Sequence, residues 1–234
     1  MIAIFTDGLS NVETLLNKVT ILSSFTKGKT IIYEAQINSG DVFLIVVTGY
    51  GKANSAFGFG LALMRYDVEK VIGVGNCGSL KLCNTTLGEI AISTSAIQFD
   101  VDYSKLGYPK TLLPSLEESI YPADTALIEL AKSASEINSC KFFMAKYASS
   151  DRFVASAKIS MELKYKFDAD VVENEAGSAG EIMLATGKPY VYVKGVSNFA
   201  DYNAPFMYED YNKMASEKAC NIVYTMLLSL TAST

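Results

Sequence analysis

The chain has 234 residues, half of them apolar, with a formal net charge of −5 and no histidine or tryptophan. That length suits one large domain with a sizeable core, while the acidic balance and the lack of a Lys/Arg run exclude a surface built to track a phosphate backbone. The absence of histidine removes the Ser-His-Asp and Cys-His routes to an activated nucleophile and the commonest zinc ligand, leaving carboxylates, amides, hydroxyls and backbone groups for any chemistry.

The predicted elements alternate from end to end. Ile2–Thr6 reads as a short buried strand, and Ser10 is placed to cap a helix carrying Val12, Leu15, Leu16 and Val19. Thr30–Ile37 and Val42–Thr48 are strands joined by a turn at Ser39-Gly40, and Ala53–Tyr66 has helical spacing. Val71–Gly75 and Glu89–Thr94 are continuous apolar strands of the kind a sheet buries on both faces. Gln98–Pro122 is the least regular stretch, with three tyrosines and three prolines, and reads as a functional loop or a subunit contact. Helices are predicted over Asp124–Ser135 and Lys158–Phe167, strands over Phe142–Ala148, Ala169–Glu173 and Tyr190–Ser197, a crossover helix over Ala176–Thr186, and a long closing helix over Tyr208–Ser229. This order predicts a single α/β domain over 1–234, with a central mixed, mostly parallel sheet flanked by helices.

Four cysteines, Cys77, Cys83, Cys140 and Cys220, have no CxxC spacing and read as small core residues in a reducing compartment. The start MIAIFTDG lacks a basic segment followed by a long apolar one, and no apolar run approaches the roughly 20 residues that span a bilayer. The expectation is a soluble, cytoplasmic protein without a nucleic-acid or membrane partner.

Five motifs fall at predicted strand ends, where an open α/β sheet gathers its ligands. Two are glycine turns, Thr48-Gly49-Tyr50-Gly51-Lys52 and Gly73-Val74-Gly75-Asn76-Cys77-Gly78-Ser79, in which glycine lets backbone N–H groups approach a ligand. Neither is a Walker A loop, and the second lacks the acidic residue of a dinucleotide site, so NAD is discounted. The third, Glu173-Asn174-Glu175, sets two carboxylates on the same side of a strand end, suited to paired ribose hydroxyls or to complementing a helix dipole. The fourth is Ser150-Asp151-Arg152-Phe153-Val154, where Asp151 is a candidate cap for the helix that follows. The fifth is Ser197-Asn198, polar residues closing an otherwise apolar strand.

In order and spacing these motifs resemble those of the nucleoside phosphorylase superfamily over nearly the whole chain, most closely the methylthioadenosine/adenosylhomocysteine nucleosidases. GYGKANSAFG, VIGVGNCGSL, SSDRFV, VVENEAGSAGEIM and YVYVKGVSNFAD carry the likeness. The resemblance implies cleavage of a purine nucleoside's N-glycosidic bond through a cationic ribosyl transition state, without a metal or other cofactor unless phosphate is the attacking group. By that likeness Glu175 holds the ribose hydroxyls, Phe153 stacks on the base, and Val154 offers backbone groups to its edge. Ser197 and Asn198 face the imidazole side, Asn76 and Gly78, with Gly75, shape the ribose pocket, and Asn174 lies under the sugar. Tyr50 lines the 5′ region, Tyr108 closes the 5′ pocket of a partner in a homodimer, and Phe206 forms the other wall.

The chain departs from the family pattern at the proton-handling positions. Asn198 stands where the nucleosidases carry an aspartic acid that protonates the purine at N7, and an amide can hydrogen-bond but cannot transfer a proton. Val12 stands where they carry the glutamate that activates water, and Glu13 is the nearest carboxylate, about 100° away around a helix. The hexameric phosphorylases carry an arginine where this chain has Gly73, with Arg152 the only nearby guanidinium. The leading expectation is hydrolysis of methylthioadenosine- or adenosylhomocysteine-type nucleosides. The alternatives are phosphorolysis of 6-oxopurine nucleosides, with phosphate held near Gly8, Asn54 and Asn76, and a catalytically weakened purine-nucleoside binder.

Overall fold

A computed structural model describes residues 1–80 and 84–231, so Cys83 lies outside the described residues. The short apolar runs become the strands of one sheet. β1 (Ile2–Thr6) lies between β4 (Val42–Val47) and β5 (Lys70–Ser79), parallel to both, and β10 (Tyr190–Asn198) is parallel to β5 on the other side. β6 (Ile90–Gln98), β8 (Phe142–Ser149) and β9 (Val171–Glu173) form a second parallel set. The two sets meet twice in antiparallel fashion, β10 on β6 and β9 on β5, so five strands close into a ring. That closure brings the ends of Glu173, Ser149, Asn198 and β1 toward one place, which a flat sheet of mixed strands would not do.

Period-2 alternation explains the layers. In β1, Ala3 and Phe5 face a core shared with α2 (Lys52–Arg65) and α5 (Ala176–Thr186), whereas Ile4 faces a second core shared with α3 (Thr125–Ile137) and α6 (Ala204–Thr231). Both faces of the central strands are therefore buried, which is why they read as unbroken apolar runs. Phe5 stacks on Phe59 with ring centroids 3.8 Å apart. A third, smaller cluster seats Leu163 of α4 (Ala157–Phe167) against Ile97, Ala148, Val154 and Val172. None of the helices among the described residues is long and apolar enough to cross a membrane.

Three local expectations are corrected. An edge hairpin adds β2 (Thr20–Lys27), paired antiparallel with β3 (Thr30–Gln36), where no strand was predicted. The first helix shrinks to a 3-10 turn at Leu9–Asn11 and one turn, α1 (Glu13–Leu16), because Asn11 is drawn inward. Its amide donates to Asp7 and accepts from Ser216 and Asn76, and Ser10 makes no cap bond. Asp151 does not cap the helix of its own segment, where Ser156 takes that place; it accepts the Lys52 N–H at 2.7 Å and so caps α2. The irregular stretch keeps its loop character, with a two-residue β7 (Tyr121–Pro122) against β6.

α6 lies on β10, and at Gly195 there is no room for a side chain between them. A Cβ at Gly195 would stand 2.2 Å from the carbonyl oxygen of Ala215, and backbone at that distance must shift as a unit. Gly195→Ala is expected to destabilise the fold by at least about 1–3 kcal/mol, seen as a lower urea midpoint in equilibrium unfolding.

Candidate active site

The converging strand ends enclose a cavity of about 570 Å³, within the range of small-molecule sites. Its wall is assembled from the segments after β1, β4, β8 and β9 together with in-strand residues of β5 and β10: Asp7, Tyr50, Asn76, Gly78, Phe153, Val154, Asn174 and Asn198 all line it. Gly49 and Gly51 flank Tyr50 with φ of +90° and +93°, a conformation that β-carbons disfavour, and this tight turn presents the phenol. The Tyr50 ring reaches back over Gly8, beside Asp7.

Part of the wall offers an aromatic face and a fixed amide. Phe153 packs edge-to-face on Tyr208 with centroids 5.7 Å apart, leaving an aromatic face at the cavity. Asn198 has its orientation fixed from behind. Its Oδ1 accepts the Ala200 N–H at 3.0 Å, and its Nδ2 donates to Ser197 Oγ at 3.1 Å. The carbonyl end is thus held by backbone, and the amide keeps a second N–H for a ligand acceptor. Gly78 makes this possible, since a Cβ there would meet Oδ1 at 2.6 Å. Ser197 itself is fully buried and does not line the cavity; it supports Asn198 and lies 3.2 Å from the Cys77 carbonyl.

Beside and behind the wall lies a buried charged cluster. Lys194, buried in β10, donates to Glu173 at 2.8 Å and to Glu175 at 2.7 Å. Burial alone would depress its pKa, yet the carboxylates of Glu173, Glu175 and Asp7 outweigh burial and hold the ammonium above its ordinary value. Burial first, then the neighbouring Asp7 carboxylate, raise Glu175 well above the usual carboxylate range. Asp7 is raised too, by burial, against the opposing pull of Lys194 and the Asn11 bond. Three carboxyl groups thus surround one ammonium beside the cavity.

The two glutamates divide their work. Glu173 accepts from Ser149 Oγ, from the N–H groups of Glu175 and Ala176, and from Lys194, so both its oxygens are committed to starting α5 and holding the lysine. Glu175 accepts one side-chain bond, from Lys194. Its carboxylate lies behind the wall rather than on it, where Glu173 and Asn174 line the cavity. Cys77 also lines the wall, but burial pushes its thiol up to about 12, so it is no nucleophile near neutrality.

Besides Ser197 and Glu175, three further sequence-predicted residues do not reach this cavity. Glu13 points to solvent, 3.9 Å from Lys213, because its neighbour Val12 takes the buried side of the turn. Phe206, in the first turn of α6, is 65% exposed, and the wall it was expected to form is made two residues later by Tyr208. Tyr108 lies on the loop after the 3-10 turn Ser104–Leu106, partly exposed and away from this chain's cavity. Sequence reasoning missed Asp7, Tyr208 and Lys194. A lone lysine inside the apolar run YVYVKGV was the available signal for the last, since a buried ammonium needs carboxylate partners.

A single sheet whose strand ends gather an aromatic face, a fixed amide and a carboxylate cluster is the architecture of a nucleoside-cleaving α/β enzyme. A family model described as the phosphorylase superfamily matches residues 2–228. The 5′-methylthioadenosine/S-adenosylhomocysteine nucleosidase of Haemophilus ducreyi is 31% identical over 217 residues, 92% of each chain. The Neisseria meningitidis nucleosidase of that name, solved in complex with methylthio-immucillin-A, superposes with a TM-score of 0.91 at 24% identity, covering 97% of this chain and 98% of that one. Futalosine hydrolase of Helicobacter pylori has the same fold, with a TM-score of 0.92, 20% identity and 97% of each chain covered. The chain belongs to the phosphorylase superfamily, among relatives that are 5′-methylthioadenosine/S-adenosylhomocysteine nucleosidases.

Removing the ammonium would leave buried carboxylates uncompensated. Lys194→Met is expected to cost about 3–5 kcal/mol of unfolding free energy near neutral pH, measured by denaturant titration. The loss should shrink as pH falls from neutrality: carboxylates raised in the fold take up protons before the unfolded chain does, so stability returns.

Proposed function

We propose that the protein hydrolyses the N-glycosidic bond of purine nucleosides of the 5′-methylthioadenosine/S-adenosylhomocysteine type. The observation that carries this is a cavity whose wall combines the aromatic face of Phe153, the fixed amide of Asn198 and the carboxyl groups of Asp7 and Glu173, with Lys194 and Glu175 bonded behind it. A ribosyl group gains positive charge as its bond to the base breaks, and preorganised carboxylates in a water-poor site favour that charge more than the neutral ground state. The purine stacks on Phe153, Val154 presents its backbone, and Asn198 gives N7 a hydrogen bond. The ribose lies toward Asn76, Gly78 and Asn174, with Glu175 acting from behind the wall through its charge rather than by direct contact. Tyr50 and Tyr208 face the 5′ substituent.

Water rather than phosphate is the attacking group in this reading. An arginine in place of Gly73 has no space: a Cβ there would lie 2.1 Å from the ring of Tyr192, which is fully buried. Lys194 lies behind the wall, already paired with its glutamates, and the cation that does line the wall, Arg152, is exposed at the mouth. An anion would meet the carboxylates without compensation. Phosphorolysis is thereby disfavoured, and the reaction needs no cofactor.

Asn198 sets the pace. Its amide steadies the departing base without protonating it, so the enzyme is slower than one bearing an acid there. In the cytoplasm the protein works as a homodimer in which Tyr108, distant from its own cavity, closes the 5′ end of the partner's.

The test is incubation with methylthioadenosine, adenosine and inosine, each with and without phosphate, with products separated by chromatography. Adenine released from methylthioadenosine at a rate indifferent to phosphate is expected; strict phosphate dependence would refute hydrolysis. Asn198→Asp should raise adenine release by about tenfold or more, the modest end of general-acid effects. An unchanged rate would mean that this side chain does not meet N7.

A further inference from the structure

The site has a carboxylate that neither the helix start at α5 nor the lysine claims. Of the carboxylates on the cavity wall, Glu173 has both oxygens engaged, and Asp151 lies exposed at the mouth, holding the first N–H of α2. Glu175 is behind the wall, and Glu13 is in solvent. Asp7 remains. It follows β1 directly, is 9% exposed, and lines the cavity at the end where Asn76 and Tyr50 stand. Among the described residues one side-chain donor reaches it, the Asn11 amide on Oδ1, and Oδ2 has no side-chain partner.

The surroundings make that arrangement rigid. Asn11 is held in turn by Ser216 Oγ at 2.8 Å and by Asn76 Nδ2 at 3.0 Å, so β1, β5 and α6 together fix the direction of the aspartate. The groups facing it are Lys194 from β10, Glu173 and Glu175 from the start of α5, and the Tyr50 phenol from the turn before α2. Val12, one turn further on, is fully buried against the second core and offers no polar atom.

We propose that Asp7 is the general base that deprotonates the attacking water, an assignment that rests on the hydrolytic reading above. The balance is simple. A water oxygen bonds to the anomeric carbon as the carbon–nitrogen bond breaks, and that bond's electron pair leaves with the purine. The proton lost by the water passes to the free oxygen of Asp7, the departing base takes its proton from solvent because Asn198 cannot give one, and Asp7 returns its proton to solvent. A carboxylate lifted above its usual range by burial is a better proton acceptor than an exposed one, which suits the task.

The experiment compares the wild type with Asp7→Asn and Asp7→Ala on methylthioadenosine, following adenine release. Asp7→Asn should lower kcat by about 10²–10⁴-fold, the usual span for a lost general base, with KM little changed. Asp7→Ala should be similarly slow and regain part of its rate when formate is added, a rescue that an altered fold would not show; it also serves if the asparagine variant fails to fold. A variant kcat within about threefold of wild type, or an alanine variant indifferent to formate, would overturn the assignment while leaving hydrolysis standing. A wild type that releases no base from any purine nucleoside would overturn the hydrolytic reading, and this assignment with it.

Discussion

The site depends on one buried ion cluster. Lys194 enters from the middle of an apolar strand and joins the two glutamates at the end of β9. An isolated ammonium at that depth would be prohibitively costly, and two glutamates without it would repel each other. Together they lock the strand that ends in Asn198 to the strand that ends in Glu173, across the ring that closes the sheet. The same cluster places carboxyl groups beside the cavity, so a device that secures the architecture also shapes the cavity's electrostatics.

Around this cluster, short-range geometry does the positioning. The Gly49-Tyr50-Gly51 turn, the bare Cα of Gly78 beneath Asn198, and the bond from Asp151 to the start of α2 each remove freedom from one wall of the cavity. The Asp151 bond is long-range in sequence and ties the loop bearing Phe153 to the turn bearing Tyr50. Aromatic face and phenol are therefore held at a fixed separation by a helix cap.

Much of this was legible in the chain, and the reasons for the rest are physical. Strands buried on both faces announce themselves as apolar runs, so β1, β4, β5 and β10 were readable, whereas β2, exposed on an edge with serines at its centre, has no buried face to betray it. Motifs at strand ends were found because a strand fixes where its last residue goes. Glu13 and Phe206 were misplaced because a helical turn rotates neighbours by about 100°, and spacing alone does not say which of them faces inward. Glu175 was expected on the wall, yet the lysine that draws it back lies 19 positions away in sequence, a pairing that only the fold creates.

The interlock of Tyr192 with Gly73 also bears on how such a scaffold changes over generations. An arginine arriving first at position 73 would collide with the ring, and trimming the ring first would open a void in the buried core, a loss of about 3–5 kcal/mol for an aromatic truncated to alanine. Each step is harmful alone and acceptable only after the other. A lineage carrying this pair is thereby kept from acquiring an anion-using chemistry by gradual substitution, whatever advantage the finished combination would bring.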